Sequence, residues 1–223
     1  AIYCLGDVIG FGPDPLACIE LAMNWQVVLQ GHFDKSSLGD DDLPGFDGTR
    51  HARKTTLRFR EQLKLHPSRE AIWDFMSKRP ERHSTSQAQF VHGTLRDPLN
   101  EYLFPESIYD CTKMNAIGGL IDRLCFCGHS HIPGVFTINR QDGWEFLPQK
   151  EIDRPYFVHN PKTICNVGSV GQPCDENADA CYVLWDNGSI RFRRLAYDIE
   201  RTIAKIKSDT NDDFDGDGYS VGK

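Results

Sequence analysis

Four short, nearly continuous apolar runs along the chain stop in the same way. Ile2–Leu5 gives way to Gly6-Asp7, and Val27–Gln30 to Gly31-His32. Phe90-Val91 leads to His92-Gly93, and Cys125–Cys127 to Gly128-His129-Ser130-His131. Runs of this length are expected of strands buried on both faces of a sheet covered by crossover helices. Helical patterns lie between them. Asp14 reads as an N-cap and Pro15 as a first-turn proline for a helix to about Met23, with Leu16, Ile19 and Met23 on one face. Residues 35–48 are rich in Asp and Gly and read as a surface loop. A basic helix is expected over 50–65 with Leu57, Phe59 and Leu63 as its apolar points, and a second opens at Pro67-Ser68, buries Ile72, Phe75 and Met76, and stops at Pro80. A further helix is expected over 109–118.

The last third is strand-rich. Thr163–Val167 reads as one strand before Gly168. Cys181–Trp185 and Ser189–Arg193 flank Asp186-Asn187-Gly188, a hairpin turn signal. Asp198 caps a last amphipathic helix carrying Ile199, Ile203 and Ile206. Residues 1–207 form one domain on this reading, and 208–223 an acidic tail.

Composition narrows the class. At 223 residues, with 39% hydrophobic and 26% charged side chains, the chain reads as a soluble globular protein able to bury a sizeable core. A formal net charge of −7 argues against binding a nucleic-acid backbone, which needs a basic face. No apolar run approaches the ~20 residues of a membrane span, so no membrane partner is expected. The eight cysteines fall largely in apolar strand runs, where a free thiol acts as a small hydrophobe. Reduced thiols and a cytoplasmic location follow as the expectation.

The strand ends carry the chemistry. In open sheets with crossover helices, functional groups gather at the carboxyl ends of the strands. Asp7, His32, His92, His129 and His131 would then line one rim as five carboxylate and imidazole ligands for a metal. While extended geometry lasts, His129 and His131 point to the same side. Arg96, in the loop after His92, can clamp a phosphate through its planar fork or pair with Asp97 or another local carboxylate. Other readings stand beside these. Asp40-Asp41-Asp42 is a cation loop or a solvated run, and the Asp-rich tail from Asp212 is the front of an incomplete calcium loop. Cys125, Cys127, His129 and His131 form a structural zinc site of unusual spacing on a third reading.

With Asp7 belong Gly10–Pro15, the Gly31–Asp34 block, Arg96-Asp97-Pro98, Asn166–Ser169 and Tyr197–Glu200. In this order the motifs resemble those of the calcineurin-like metallophosphoesterases, specifically the bacterial branch near diadenosine-tetraphosphatases and phosphodiesterases. The resemblance implies an α/β fold, a four-layer α/β/β/α sandwich of two mixed sheets. It also implies one or two divalent metals per chain, with manganese, iron, zinc or nickel all suited to the donor set. Asp7 matches the bridging carboxylate, His92 and His129 match ligands of the second metal, and His131 matches a ligand of the first. His32 stands at the position of an asparagine ligand. In the family, two cations about 3.5–4 Å apart activate water and polarise the phosphoryl group. The implied activity is hydrolysis of a phosphomonoester or phosphodiester, with Asp7, His32 and Arg96 in the catalytic site. A phosphorylated small molecule, nucleotide or phosphoprotein is the expected substrate, and nothing in the pattern sets the oligomeric state. A non-catalytic metal- or partner-binding module of the same fold is the alternative.

Two departures shape the expectation. The family's opening Asp-x-His does not precede Ala1, and Phe33 stands where the family has the histidine that protonates the leaving group. The chain as it stands is therefore expected to hold one metal well and the other poorly. Metal analysis should find one tightly held ion per chain; two would contradict this expectation.

Overall fold

The computed structural model describes residues 1–39, 50–139, 141, 143–159 and 162–210. Asp40–Asp42 and the tail from Asp212, read above as candidate cation loops, lie outside the described residues. The chain divides into two compact units, one of Ala1–Glu81 with the C-terminal helix, the other spanning Arg82–Tyr197.

In the first unit, β1 (Tyr3–Cys4) pairs in parallel with β2 (Val27–Val28) through the crossover helix α1 (Pro15–Ala22). Pro15 opens α1 as expected, but the buried face is Pro15, Ile19 and Ala22, while Met23 is exposed. Asp14 does not cap with its carboxylate, which instead meets Lys205 Nζ at 2.6 Å on the C-terminal helix Ile199–Thr210. After β2 the chain turns at once into α2 (His32–Ser37), where a surface loop was expected from residue 35. Arg60, on α3 (Arg50–Leu65), explains why this short helix holds: its guanidinium donates to the carbonyls of Ser36, Ser37 and Gly39. A cation at a helix C-terminus satisfies orphan carbonyls and complements the helix dipole. Helix α4 (Arg69–Ser77) completes the unit, and Ile9, Ile19, Phe59, Leu63, Ile72 and Met76 form its core.

The second unit is built on a six-stranded mixed sheet. Its strands are β3 (Arg82–Ser84), β4 (Gln89–Val91), β5 (Leu124–Cys127), β6 (Gly134–Ile138) and β7 (Trp144–Pro148), with β9 (Thr163–Asn166) between β5 and β6. Strands β4, β5 and β9 are parallel neighbours, and the outer pairings are antiparallel. Helix α5 (Cys111–Gly119), capped by Asp110 and preceded by a 3₁₀ turn at Pro105–Tyr109, covers one face. There Met114 and Ile117 pack on Cys125, Cys127, Phe136 and Ile164. Phe90 and Phe126 stack on the other face and meet Trp185 of a second sheet. That sheet is three-stranded and antiparallel, from β8 (Tyr156–Phe157), β10 (Ala180–Asp186) and β11 (Ser189–Leu195). Asn187 and Gly188 both have positive φ, 48° and 78°, as the expected two-residue hairpin turn requires. Helix and two sheets thus stack as three layers in this unit alone. The α/β class expected from the sequence is the class observed.

Among the described residues no helix is long and apolar enough to cross a membrane. Burial lifts the Cys127 thiol to about 12, and lifts Cys125 and Cys165 well above their ordinary value. A thiol so raised stays protonated, and protonated thiols are poor nucleophiles. Alkylation of the folded protein at neutral pH should label exposed Cys111 and spare these three until denaturant is added. Peptide mapping that finds Cys125 or Cys127 modified in the native state would contradict the packing.

Candidate metal centre

In the first unit the ligands follow from how two strand ends meet. Gly6 has φ 101° and Asp7 has φ 50°, so the chain reverses sharply on leaving β1. A Cβ at Gly6 would sit 2.6 Å from the Gly31 nitrogen, and one at Gly31 would sit 2.1 Å from Asp7 Oδ1. Only paired glycines let the Asp7 carboxylate lie against the end of β2. There Asp7 Oδ1 accepts the Phe33 N–H at 2.9 Å, and Oδ2 lies 2.8 Å from His32 Nδ1. Both side chains are nearly buried.

Asp34 and Arg79 brace this arrangement. The Asp34 carboxylate, fully buried, accepts the Ile9 N–H at 3.2 Å and the Gly31 N–H at 3.0 Å, and meets Arg79 Nη1 at 3.2 Å. The loop after β1 and the start of α2 are thereby tied to one carboxylate. Breaking a buried pair by removing one partner leaves an uncompensated charge, so the brace is stiff. Phe33 turns inward too, edge-on to Phe11 with ring centroids 5.3 Å apart.

The second unit supplies two imidazoles. Strands β4 and β5 end side by side, with the Gly128 N–H donating to the His92 carbonyl at 2.9 Å. Beyond them His92 Nε2 and His129 Nδ1 lie 2.9 Å apart, both rings buried. The expected alternation fails because extended geometry ends at Cys127: His129 has φ 65° and His131 φ 57°. His131 consequently lies beside Cys174, with Nδ1 3.8 Å from Sγ. Asp7, His129 and His131 are three of the five non-glycine residues with positive φ among the described residues, a clustering of strain typical of functional sites.

Around His129 the support is dense. The Tyr102 ring stacks on it at 3.7 Å and 17°, and the Asn100 carbonyl lies 3.4 Å from its Nε2. Asn166, fully buried at the end of β9, donates to the Gly128 carbonyl and to Ser130 Oγ, each at 2.8 Å. Ser130 Oγ in turn donates to the Leu103 carbonyl at 3.0 Å. Arg96 meets Glu101 through two guanidinium nitrogens, so the local ion pair is what the structure shows, with Glu101 in place of Asp97. Burial would raise the Glu101 carboxyl, but hydrogen bonds from Arg96 and Thr94 hold it below the usual range.

Each pair fits a divalent cation. Two donor atoms 2.8–2.9 Å apart match neighbouring ligands about 90° apart in an octahedral shell at about 2.0–2.1 Å from the ion. A carboxylate with imidazoles suits a borderline metal. The reading that adds Cys125 and Cys127 finds no support, since both thiols are packed into the core under α5.

Reading the residues alone left Tyr102, Arg79 and Glu101 out of the site. Asn166 entered only through the resemblance, although it ends an apolar run just before a glycine, the same signal as the other strand ends. Replacing it removes the amide donor that the buried Gly128 carbonyl and the Ser130 hydroxyl share. Asn166→Ala should cost about 1–3 kcal/mol in chemical denaturation. Metal affinity should fall about 10–100-fold in the same variant, as when an outer partner of a ligand is lost. A variant with wild-type stability and wild-type metal binding would show that Asn166 does not hold the His129 turn.

No protein-family model matches the chain. It is 29% identical over 230 residues to an uncharacterized protein of Methanocaldococcus jannaschii, MJ0912, covering 100% of this chain and 86% of that protein. A crystal structure of a metallophosphoesterase from Sphaerobacter thermophilus superposes with a TM-score of 0.74 at 25% identity, over 93% of this chain and 82% of that one. Hypothetical protein PH1004 from Pyrococcus horikoshii OT3 superposes with a TM-score of 0.70 at 18% identity, over 99% and 85%. The second likeness speaks for the fold alone. Together with ordered strand-end motifs that present carboxylate and imidazole donors, these likenesses support a fold of the calcineurin-like metallophosphoesterase kind.

Proposed function

We propose that the chain is a metal-dependent phosphoesterase acting on a phosphomonoester or phosphodiester. In this reading Asp7 and His32 are the metal-binding pair of the first unit, and His92 and His129 that of the second. His131 belongs to a neighbouring position. The observation that carries the reading is that each unit holds two ligand atoms already in contact, on strained turns at strand ends. The likeness to a metallophosphoesterase supports the reading.

A bound divalent cation would supply Lewis acidity and a lowered pKa for water. The chain's own residues set the rest. Asp7 presents its carboxylate with one oxygen fixed by the Phe33 N–H. His129, clamped by Tyr102 and the Asn166 network, keeps its Nδ1 directed toward His92. Phe33 has no proton to give a departing oxygen. Glu101 already engages Arg96 Nε and Nη2, so a phosphate at this guanidinium would compete with an internal ion pair. Phosphorylated small molecules, nucleotides and phosphoproteins are the substrate classes in view. The missing proton donor favours those whose leaving group departs as a stable anion.

Activity on an aryl phosphodiester with added manganese, lost in His129→Ala, is the first test. Retained metal binding without any turnover would instead favour the non-catalytic module. Phe33→His restores a proton donor next to the carboxylate. It should speed hydrolysis of alkyl esters by about 10²–10⁴-fold and leave aryl esters nearly unchanged. An equal gain on both, or none on either, would contradict the role assigned to this position.

A further inference from the structure

We propose that Phe104 is a stacking platform for a planar aromatic ring carried by the ester group of the phosphate being hydrolysed. The inference deepens the phosphoesterase reading and rests on it for the identity of the phosphate. It starts from the segment Tyr102-Leu103-Phe104, which is extended where it enters the 3₁₀ turn at Pro105–Tyr109. Alternate side chains of an extended segment share a side. Leu103 is 2% exposed, anchored in the core under α5, and Tyr102 and Phe104 stand together on the other side.

Their rings are parallel, 5.2 Å between centroids and 5° between planes. Tyr102 is parallel to His129 on its other face, at 3.7 Å and 17°. The three rings therefore form a ladder whose inner rung is a proposed metal ligand and whose outer rung is 41% exposed. A single exposed phenylalanine would need no explanation. One that continues a stack begun at the ligand offers a further ring the same geometry, two steps from the proposed centre.

The ladder is also fixed before any ligand arrives. Lys113 Nζ donates to the Tyr102 carbonyl at 2.6 Å, and the Phe104 N–H donates to Ser107 Oγ at 3.2 Å. A platform ordered in advance loses little conformational freedom when a ring settles on it. Stacking on an aromatic side chain accepts any flat ring, so the class recognised is an aryl or nucleoside phosphoester rather than one base. The net charge of −7 disfavours a long polyanion and leaves small esters as the fit.

The test compares ring-bearing and ring-free ligands on the metal-loaded protein and its Phe104→Leu variant. Leucine keeps an apolar side chain and removes the flat face. By calorimetry, the wild type should bind adenosine monophosphate and phenyl phosphate about 5–150-fold more tightly than ribose 5-phosphate. In Phe104→Leu that preference should disappear while metal content stays unchanged. Tighter binding of adenosine monophosphate than of phenyl phosphate would mark a nucleoside source, and the converse an aryl source. No ring preference in the wild type, or a preference that survives the substitution, would overturn the proposal. Ring preference without turnover would defeat the phosphoesterase reading alone, and turnover without ring preference would defeat this one alone.

Discussion

Two imidazole nitrogens 2.9 Å apart in a buried site have few options. They can share one proton or one cation; two lone pairs or two hydrogens facing each other at that distance repel. His92 and His129 are held in this relation from outside, by the Tyr102 ring, the Asn100 carbonyl and the Asn166 network. The first unit repeats the constraint with other atoms. The Asp7 carboxylate is pressed on His32 by paired glycines and braced through Asp34 and Arg79. Such contacts are what a cation would otherwise screen, and the strained turns at Asp7 and His129 are the backbone cost of making them.

The strand ends were legible because a buried parallel strand announces itself as an apolar run, and the glycine after it marks where the chain must turn. β4 spans Gln89–Val91 and α3 spans Arg50–Leu65, both as read from the pattern. What failed to show has physical reasons too. Helix α2 follows β2 directly and depends on Arg60, more than twenty residues away, for its C-terminal carbonyls. On α1 the expected Ile19 is buried and Leu16 packs half-buried on the core, but Met23 is exposed and Pro15 and Ala22 complete the face. Alternation predicted a shared side for His129 and His131, and the left-handed backbone at both voids that rule. Periodicity carries no mark of a left-handed turn beyond the glycine beside it.

The site shows the same division. Its candidate ligands were picked out by residue type at strand ends, whereas the groups packed around them carried no such mark. Arg79 sits just before Pro80 with no pattern to distinguish it from a surface arginine, yet it is buried against Asp34. Tyr102 looks like one aromatic among many until its ring is found on His129. Arg96 was ambiguous between a phosphate and a carboxylate, and Glu101, five residues along, supplies the carboxylate. Long-range packing decides such roles, and a linear pattern does not encode it.

The central claim is that His92 and His129, held with their ring nitrogens 2.9 Å apart, bind one cation between them. Calorimetric titration of manganese or zinc into the protein and into His92→Ala and His129→Ala tests it most directly. The account predicts that each change alone removes the same tight binding event, and that the double variant is no worse than either. Wild-type affinity and stoichiometry in either single variant would contradict it.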